Sequence, residues 1–346
     1  MNRRPLKLAG IPAVAVAVAV AAALLAACSP GSSESAKTSA DGTKKVTIQI
    51  DGAAVPYYAP LYAAKEQGYF ADAGLDVEFT YAQGSDIVKN VASGNVDFGF
   101  PNGDSVVTAY GKGIKTKVVH TTYQQGIGAL LSQPSANIKS PADLKGKTVA
   151  VTDLGSPNYI QLQAMLESAG LKLSDVKVRT LGTGVIVDAL KNGQVDAIVF
   201  SRLRYYALQS AGVDVNQILS DKYLPSFGNV VIAGEDKVKN DPDTVKAFDK
   251  ALNSGIEYTV KNPRAAVDMS VQKYATSFKG QEKEITTIVE DLFAKSLWQS
   301  ANTEKNGLGS PDVARWQQAI DSQKDFKLLD TSFDAGDLVV KPNDLG

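Results

Sequence analysis

Short apolar runs alternate with longer amphipathic stretches through the middle of the chain. Residues 46–50 and 148–151 are apolar, bounded by turn residues and too short for a helix, which predicts buried strands. Each run is followed by apolar positions at helical spacing, over 59–67 and 159–168, and then by a glycine that ends the pattern. Strands that alternate with helices form parallel sheets with right-handed crossovers. The sequence therefore predicts an α/β fold.

The same pattern occurs twice along the chain. Asp76 and Asp175 are 99 positions apart, and so are Asp97 and Asp196, which each close a Gly-x-Val-Asp turn. Any two βαβ units share a general pattern, but the constant offset and the shared turn favour an internal repeat. Two similar lobes with a ligand cleft between them are the expected consequence.

A third region begins near Gly228. An apolar run over 229–233 predicts one more strand, and the rest of the chain is mainly helical. Asp241-Pro242 and Ser310-Pro311 have the cap-then-proline pattern of a helix start. The predicted helices cover residues 242–260, 263–274, 281–298 and 310–321.

These elements predict that the chain crosses between the lobes twice. We expect lobe I to comprise residues 46–131 plus 230–346, and lobe II to comprise residues 132–229. The C-terminal helices then return to lobe I and cover it. Two crossings make a hinge, so the lobes are expected to close around a ligand.

The start of the chain has the pattern of an export signal. Arg3, Arg4 and Lys7 precede an uninterrupted apolar stretch over 8–27. A basic start, an apolar middle and small residues at the end describe a secretory signal peptide, here residues 1–27. A transmembrane anchor is the alternative, because about twenty apolar residues can span a bilayer. The many alanines contribute little hydrophobic driving force, which favours the signal peptide.

The apolar stretch ends at a cysteine. Leu25-Ala26-Ala27-Cys28 resembles the bacterial lipobox, in which the preceding peptide is removed and lipid is attached to the cysteine. Residues 28–45 lack apolar periodicity, which predicts a flexible tether behind the lipidated Cys28. Cys28 is the only cysteine, which excludes disulfides, a CxxC redox pair and a cysteine-ligated metal site. We expect a lipoprotein anchored at the extracytoplasmic face of the cell membrane.

Composition gives no indication of a nucleic-acid partner or of a later membrane-spanning stretch. The chain has 36 basic and 37 acidic side chains among 346 residues, so nothing indicates nucleic-acid binding. No later stretch is long and apolar enough to span a membrane. About 300 residues remain after the signal and tether, which is enough for two lobes with their own cores. We expect the mature protein to be a monomer.

Three segments carry a resemblance to a known family. They are residues 58–70 (YAPLYAAKEQGYF) with 74–77 (GLDV), 93–99 (SGNVDFG) and 143–149 (DLKGKTV). On these residues the sequence resembles the extracytoplasmic solute-binding proteins of ABC importers, in the family that binds nitrate, sulfonates, taurine and thiamine pyrimidine precursors. The resemblance implies a type II periplasmic-binding-protein-like fold, with two α/β lobes and a hinged cleft between them. It also implies a small-molecule solute, and an ABC permease with its ATPase as partners.

The same family includes a fungal-type enzyme that makes the thiamine pyrimidine and relies on a cysteine-rich motif and a histidine. This chain has one cysteine and one histidine, and His120 lies in an apolar run typical of a buried structural residue. Motifs for dinucleotides, nucleotide phosphates and catalytic metals are missing. We therefore expect no enzymatic activity, no cofactor and no metal. An extracytoplasmic enzyme or a sensor on the same fold is the alternative class.

Candidate ligand contacts follow from the positions of the strand ends. In a doubly wound sheet the ligand lies outside the carboxyl ends of the strands. Residues that follow predicted strands, or lie at the second crossing, are therefore the candidates. They are Asp51, Tyr57, Tyr58, Ser85, Asn102, Asp104, Ser156, Asn158, Tyr159, Arg202, Phe227 and Asn229.

Several candidates have a structural alternative. Ser85 and Ser156 precede predicted helices, where backbone N–H groups attract an anionic group, but serine also caps helices without any ligand. The aromatic residues can stack on a flat ring, although a tyrosine more often packs in a core. Arg202 suits a ligand carboxylate, sulfonate or phosphate, or a salt bridge at the hinge.

The predicted rim indicates a class of ligand. Acids and tyrosines outnumber basic residues there, and Asp51 and Asp104 can accept hydrogen bonds from ring N–H or amino groups. We therefore favour a flat nitrogen heterocycle, such as a thiamine-related pyrimidine or a flavin-like ring. A sulfonate, taurine or nitrate anion bound at Ser85 and Ser156 is the second hypothesis.

Overall fold

The computed structural model describes residues 42–154, 156–182, 184–341 and 344. The predicted signal peptide, Cys28 and most of the predicted tether lie outside the described residues. Two five-stranded sheets organise the described chain. The strands are β1 (Lys44–Asp51), β2 (Leu75–Ala82), β3 (Phe98–Phe100), β4 (Thr116–His120), β5 (Gly128–Ser132), β6 (Thr148–Val151), β7 (Lys177–Thr180), β8 (Ala197–Ser201), β9 (Asn216–Leu219) and β10 (Val231–Gly234).

Both sheets follow one plan. Sheet I has the order β2-β1-β3-β10-β4, and sheet II has the order β7-β6-β8-β5-β9. In each sheet the central strand of the βαβ unit pairs in parallel with its two neighbours. The strand that follows a crossing then inserts antiparallel, as β10 does in sheet I and β5 in sheet II. The shared order confirms the predicted two-lobed α/β fold.

The repeated Gly-x-Val-Asp turn has the same backbone in both lobes. Gly94 has a φ of 73° and Gly193 a φ of 65°. Both values lie in the left-handed region, which glycine adopts without the strain that a Cβ would cause. The repeat in sequence is therefore also a repeat in local structure.

Thirteen α-helices connect and cover the sheets within the described ranges. The segment 281–298, predicted as one helix, consists of α11 (Glu282–Ile288) followed by a π-helical segment, Val289–Leu297. The helices are α1 (Ala59–Glu66), α2 (Tyr69–Asp72), α3 (Gly84–Ala92), α4 (Gly103–Gly111), α5 (Pro157–Ser168), α6 (Ile186–Lys191), α7 (Leu203–Ser210), α8 (Glu235–Asn240), α9 (Pro242–Lys261), α10 (Pro263–Lys273), α11 (Glu282–Ile288), α12 (Ala301–Asn306) and α13 (Val313–Asp325).

Several element boundaries differ from the sequence predictions, and two of these shifts have a hydrogen bond at the new boundary. The helix predicted over 310–321 begins at Val313, because Asp312 and not Ser310 is its cap: the Asp312 Oδ1 accepts the N–H of Arg315 at 3.0 Å. Strand β1 begins at Lys44, inside the predicted tether. The backbone N–H of Lys44 donates to the carbonyl of Gly74 at 2.9 Å. Neither shift changes the topology.

The two crossings run side by side. The first lies between His120 and Gly128, and because β5 belongs to sheet II, it ends before the predicted start of lobe II at residue 132. Sequence placed the boundary late because β4 and β5 are both short buried apolar runs. The second crossing lies between β9 and β10 and meets the first where the N–H of Gly228 donates to the carbonyl of Gln125 at 3.1 Å.

Each sheet is buried on both faces. Sheet I packs on one face against a core that includes Trp298, and on the other against a core that includes Trp316. Sheet II packs α5 through Leu162 on one face and α6 through Ile186 on the other. Because the faces are covered, polar groups meet solvent chiefly at the ends of the strands.

Candidate functional site

A cavity of about 460 Å³, the main cavity of the cleft, lies where the strand ends of the two sheets face each other. The end of β1 and the starts of α3 and α4 form one wall, and the other comes from sheet II and the start of α5. The lining residues are Asp51, Gln83, Gly84, Ser85, Asn102, Ser105, Ile127, Gly128, Asp153, Ser156, Pro157, Asn158, Gln161, Phe200 and Ser201. Five of the predicted contacts are among them: Asp51, Ser85, Asn102, Ser156 and Asn158.

Asp51 is the last residue of β1 and is largely buried. Burial raises the pKa of the Asp51 carboxyl, and hydrogen bonds from the N–H groups of Gly84 and Gly52 partly oppose that rise. The hydroxyl of Tyr58 donates to the backbone carbonyl of Asp51 at 2.9 Å and so fixes the strand end. Asp51 thus presents a positioned acceptor for an N–H donor.

Two polar residues of the cavity also cap helices. The Asn102 Oδ1 accepts the N–H of Asp104 at 3.0 Å at the start of α4. Ser156 caps α5 by accepting the N–H of Tyr159 at 3.3 Å, and its hydroxyl donates to the carbonyl of Asp153 at 2.8 Å. Ser85 lies inside the first turn of α3, so capping does not explain its position.

Asp104 lines a neighbouring groove of about 340 Å³ that shares Ser85, Ser105 and Pro157 with the main cavity. Its side chain is buried, and burial raises the pKa of Asp104 to about 7. The nearby Asp221 raises that pKa further, while Arg315 lowers it. Asp104 is therefore close to the cleft without lining its main cavity.

Three of the four predicted aromatic contacts, Tyr57, Tyr58 and Phe227, pack into lobe I. Tyr57 stacks on Phe293 with ring centroids 5.2 Å apart, and its burial raises the pKa of Tyr57 to about 12. Phe227 is 1% exposed and stacks on Trp316 at 4.1 Å. Tyr58 packs edge-on against the Phe100 ring. None of these three lines the main cavity.

Three other predicted contacts, Asn229, Arg202 and Tyr159, are not among the residues that line this cavity. Asn229 donates from Nδ2 to the carbonyl of Phe100 at 2.9 Å, which ties the second crossing to β3. Arg202 is buried, and its backbone N–H donates to the carbonyl of Ile127 at 2.7 Å. Tyr159 packs against the core of sheet II. Their role in ligand binding stays a prediction.

Ten of the lining residues are not among the contacts predicted from sequence. Asp153 follows β6 and could have been found by the strand-end rule, while Ser105 is the neighbour of a predicted contact. Ile127 and Gly128 enter because β5 is antiparallel, so its amino end lies at the edge where the parallel strands end. These residues are Gln83, Gly84, Ser105, Ile127, Gly128, Asp153, Pro157, Gln161, Phe200 and Ser201.

The described lining of the cavity has an acidic and amide character. Asp51 lies on one wall and Asp153 on the other, and none of the described lining residues is Lys, Arg or His. Phe200 supplies the aromatic surface, and the Arg204 guanidinium lies 5.3 Å from its ring centroid. Acceptors on both walls favour a neutral or cationic ligand that carries hydrogen-bond donors.

His120 lies in the interior of lobe I. It is 1% exposed, with Nδ1 2.7 Å from the Thr122 hydroxyl and Nε2 3.0 Å from the Asn253 Oδ1. Burial lowers the pKa of His120 to about 4. This agrees with the structural role predicted from the apolar run.

Two kinds of feature are absent from the described residues. Within them, no group of three or more His, Cys, Asp or Glu side chains is arranged to hold a metal ion. No helix in the described ranges combines the length and apolar character needed to cross a membrane.

Two α/β lobes of one strand plan, with a polar cavity between their strand ends, define a protein of the periplasmic-binding-protein fold. The periplasmic aliphatic sulphonate binding protein SsuA from Escherichia coli has the same fold, with a TM-score of 0.67 and 17% identity over 86% of this chain and 92% of that one. The chain belongs to the NMT1/THI5-like family, whose sequence model matches residues 55–266.

Relatives with assigned names fall into two groups. The riboflavin-binding protein RibY from Chloroflexus aurantiacus is 26% identical over 84% of this chain and 83% of its own. The formylaminopyrimidine-binding protein from Halalkalibacterium halodurans is 24% identical over 81% and 84%. A 4-amino-5-hydroxymethyl-2-methylpyrimidine phosphate synthase from Aspergillus parasiticus is 26% identical over 65% and 70%.

Proposed function

We propose that the protein is the extracytoplasmic solute-binding component of an ABC importer and that it captures a nitrogen heterocycle between its lobes. The observation that carries the proposal is the cavity at the strand ends. Both lobes line it with carboxylates, amides and hydroxyls, and no basic side chain lies among its described residues. Closure around a solute buries these groups against it and produces a shape that a permease can recognise.

A thiamine-related pyrimidine or a flavin-like ring fits this lining. Ring N–H and amino groups can donate to Asp51 and Asp153, and ring nitrogens or carbonyls can accept from the amides of Asn102 and Asn158. Phe200 offers an aromatic face to a flat ring. The two bacterial binding proteins are named for ligands of this chemical kind.

We also propose that lipid on Cys28 anchors the protein at the extracytoplasmic face of the cell membrane. The support is the lipobox-like sequence over 25–28, at the end of a stretch with the pattern of a signal peptide. A tether over 28–45 keeps the monomeric receptor close to its permease and raises its effective concentration there.

A sulfonate, taurine or nitrate anion is the second candidate ligand. Ser85 and Ser156 line the cavity from opposite lobes, in the first turn of α3 and at the cap of α5. N–H groups at such positions attract anions. The carboxylates of Asp51 and Asp153 on the same walls repel them, which is why the heterocycle is preferred.

We propose that the protein is not an enzyme, although one named relative is a synthase. His120, the chain's one histidine, is enclosed in lobe I by Thr122 and Asn253. It does not line the main cavity. Turnover of a bound heterocycle by the purified protein would contradict this part of the proposal.

Calorimetric titration of residues 29–346 tests the proposal. The panel comprises riboflavin, 4-amino-5-hydroxymethyl-2-methylpyrimidine, formylaminopyrimidine, taurine and nitrate. We expect at least one heterocycle to bind with a micromolar or lower Kd and the two anions not to bind. Binding of the anions alone would overturn the ligand assignment, and silence across the panel would count against a binding function for this cavity.

A further inference from the structure

Gln161 is a buried polar residue in the cleft. The residue is 4% exposed and lines the main cavity. Its side-chain oxygen, Oε1, is buried and accepts no hydrogen bond from any described protein group. A buried acceptor without a donor costs free energy, and native proteins retain few such groups without a reason.

Helix geometry directs Gln161 at the cavity. Helix α5 begins at Pro157 behind the Ser156 cap, and Gln161 lies one turn further on the same face. Side chains of a helix tilt toward its amino end, which here is the end that faces lobe I across the cavity. The Gln161 side chain therefore extends toward the amino end of α5, and Gln161 lines the cavity together with Pro157 and Asn158.

The Gln161 carboxamide lies against Gly128, the first residue of β5. A Cβ at Gly128 would lie 2.0 Å from the Gln161 Oε1 and 2.4 Å from its Cδ. Gly128 does not have a positive φ, so backbone strain does not explain the glycine. The reason for a glycine at this position is the space that Gln161 occupies.

We propose that Gln161 determines specificity by reading a donor–acceptor edge of the ligand, in which an N–H or amino group stands beside a carbonyl or a ring nitrogen. Oε1 accepts from the donor while Nε2 donates to the acceptor, the paired pattern by which a carboxamide reads adenine. The inference rests on the proposed function and narrows it: the ligand carries this edge, as the pyrimidine ring of a flavin and an aminopyrimidine both do.

Two variants of α5 form the test. Gln161→Leu removes both hydrogen-bonding atoms at similar size. Gln163→Leu is the matched control, because Gln163 is on the same helix but lines a separate pocket with Leu166 and Leu173. Each protein is titrated with riboflavin and 3-methylriboflavin, and with 4-amino-5-hydroxymethyl-2-methylpyrimidine and its 4-dimethylamino analogue. Methylation removes the donor and leaves the ring in place.

The expected result is a loss of discrimination. The wild-type protein and the Gln163→Leu control bind the parent ring at least about tenfold more tightly than its methylated analogue. Gln161→Leu binds the parent at least about tenfold more weakly than wild type and no longer distinguishes the two compounds. Unchanged affinity or intact discrimination in Gln161→Leu overturns the inference alone, whereas a wild-type protein that binds neither ring class overturns the proposed function as well.

Stability separates a ligand role from a structural one. Leucine replaces an unsatisfied carboxamide, so Gln161→Leu is expected to unfold at the same or a higher urea concentration than wild type. A clear loss of stability would indicate that Gln161 holds the fold and would overturn the inference. Gly128→Ala is the second probe: it displaces the Gln161 carboxamide and is expected to reduce discrimination even with Gln161 intact.

Discussion

Asp196 accepts the backbone N–H of Thr148 at 2.7 Å and so joins the start of β8 to the start of β6. Asp97 makes the same bond in the other lobe, where it accepts the N–H of Thr47 at 2.8 Å. The aspartate that ends each Gly-x-Val-Asp turn therefore fixes the register of the neighbouring parallel strand. This explains why the repeat is most regular at these positions.

The bond to Thr148 is expected to stabilise lobe II. Asp196→Ala leaves that N–H without its charged acceptor, which should lower the free energy of unfolding by about 1–3 kcal/mol. Urea unfolding measures the loss. Asp188→Ala is the control, because Asp188 makes an exposed pair with Lys191 and such pairs contribute about 0–1 kcal/mol. Equal losses in the two variants would refute the assignment.

Asp51 is expected to bind the ligand. Asp51→Asn keeps the size of the side chain but replaces a carboxylate oxygen with an N–H donor, so the affinity for a nitrogen heterocycle should fall at least about tenfold. Calorimetry on the purified protein measures the change. Asp86→Asn is the control, since Asp86 lies on α3 in an exposed pair with Lys89. A similar loss in both variants would show a general charge effect.

Removal of the Asp249 carboxyl is expected to raise the free energy of unfolding in a pH-dependent way. Burial raises the pKa of Asp249 from its ordinary 3.8 to about 7. Below pH 4 the carboxyl is protonated in both the folded and unfolded states, whereas above pH 7 the folded state carries the cost of a buried charge. Asp249→Asn should therefore gain on the order of 1–3 kcal/mol at pH 8 and nothing near pH 4.

Urea unfolding of wild type and Asp249→Asn across pH 4–8 measures this window. The Asn253 Nδ2 donates to the Asp249 Oδ2 at 3.2 Å, and an asparagine carbonyl can accept the same bond. A gain of the same size at every pH would show that charge is not its cause.

Gly255 allows α9 to approach α1 closely. A Cβ at this position would lie 2.2 Å from the backbone carbonyl oxygen of Pro60, which cannot move aside as a flexible side chain can. Alanine has the higher helix propensity, but Gly255→Ala is expected to lower the free energy of unfolding by about 1–3 kcal/mol because the helices must separate. Ser254→Ala, one residue earlier, should leave stability nearly unchanged; thermal unfolding compares the two.

Cys28 is expected to control location without affecting affinity. Cys28→Ser removes the sulfur that would carry the lipid, so the full-length protein should move from the membrane fraction to the soluble extracytoplasmic fraction. Ligand titration of the released protein should give the wild-type Kd. Retention in the membrane fraction would instead favour the alternative of a transmembrane anchor over 8–27.

The fold was accessible from sequence because its main determinants are local. Short apolar runs indicated the strands, and the 99-residue offset indicated two lobes. Five of the fifteen lining residues were accessible for the same reason, since residues such as Asp51 and Asn102 lie next to strand ends.

The remainder of the site depends on tertiary structure. Gln161 enters the cavity one turn into a helix, and Gly128 enters it through an antiparallel strand whose pairing sequence did not reveal. The stacking of Phe227 on Trp316, 89 residues later in the chain, does not follow from the position of Phe227 near the crossing. Contacts of that kind depend on packing that no local pattern encodes.

The return of the chain to sheet I through β10 also determines which sheet is completed first along the chain. Sheet II is complete once the chain has been made as far as Leu219, whereas sheet I waits for β10 at Val231–Gly234. As the chain leaves a ribosome or a translocation channel, its middle can therefore finish folding before its beginning does. For that interval the strands of lobe I lack their fifth member.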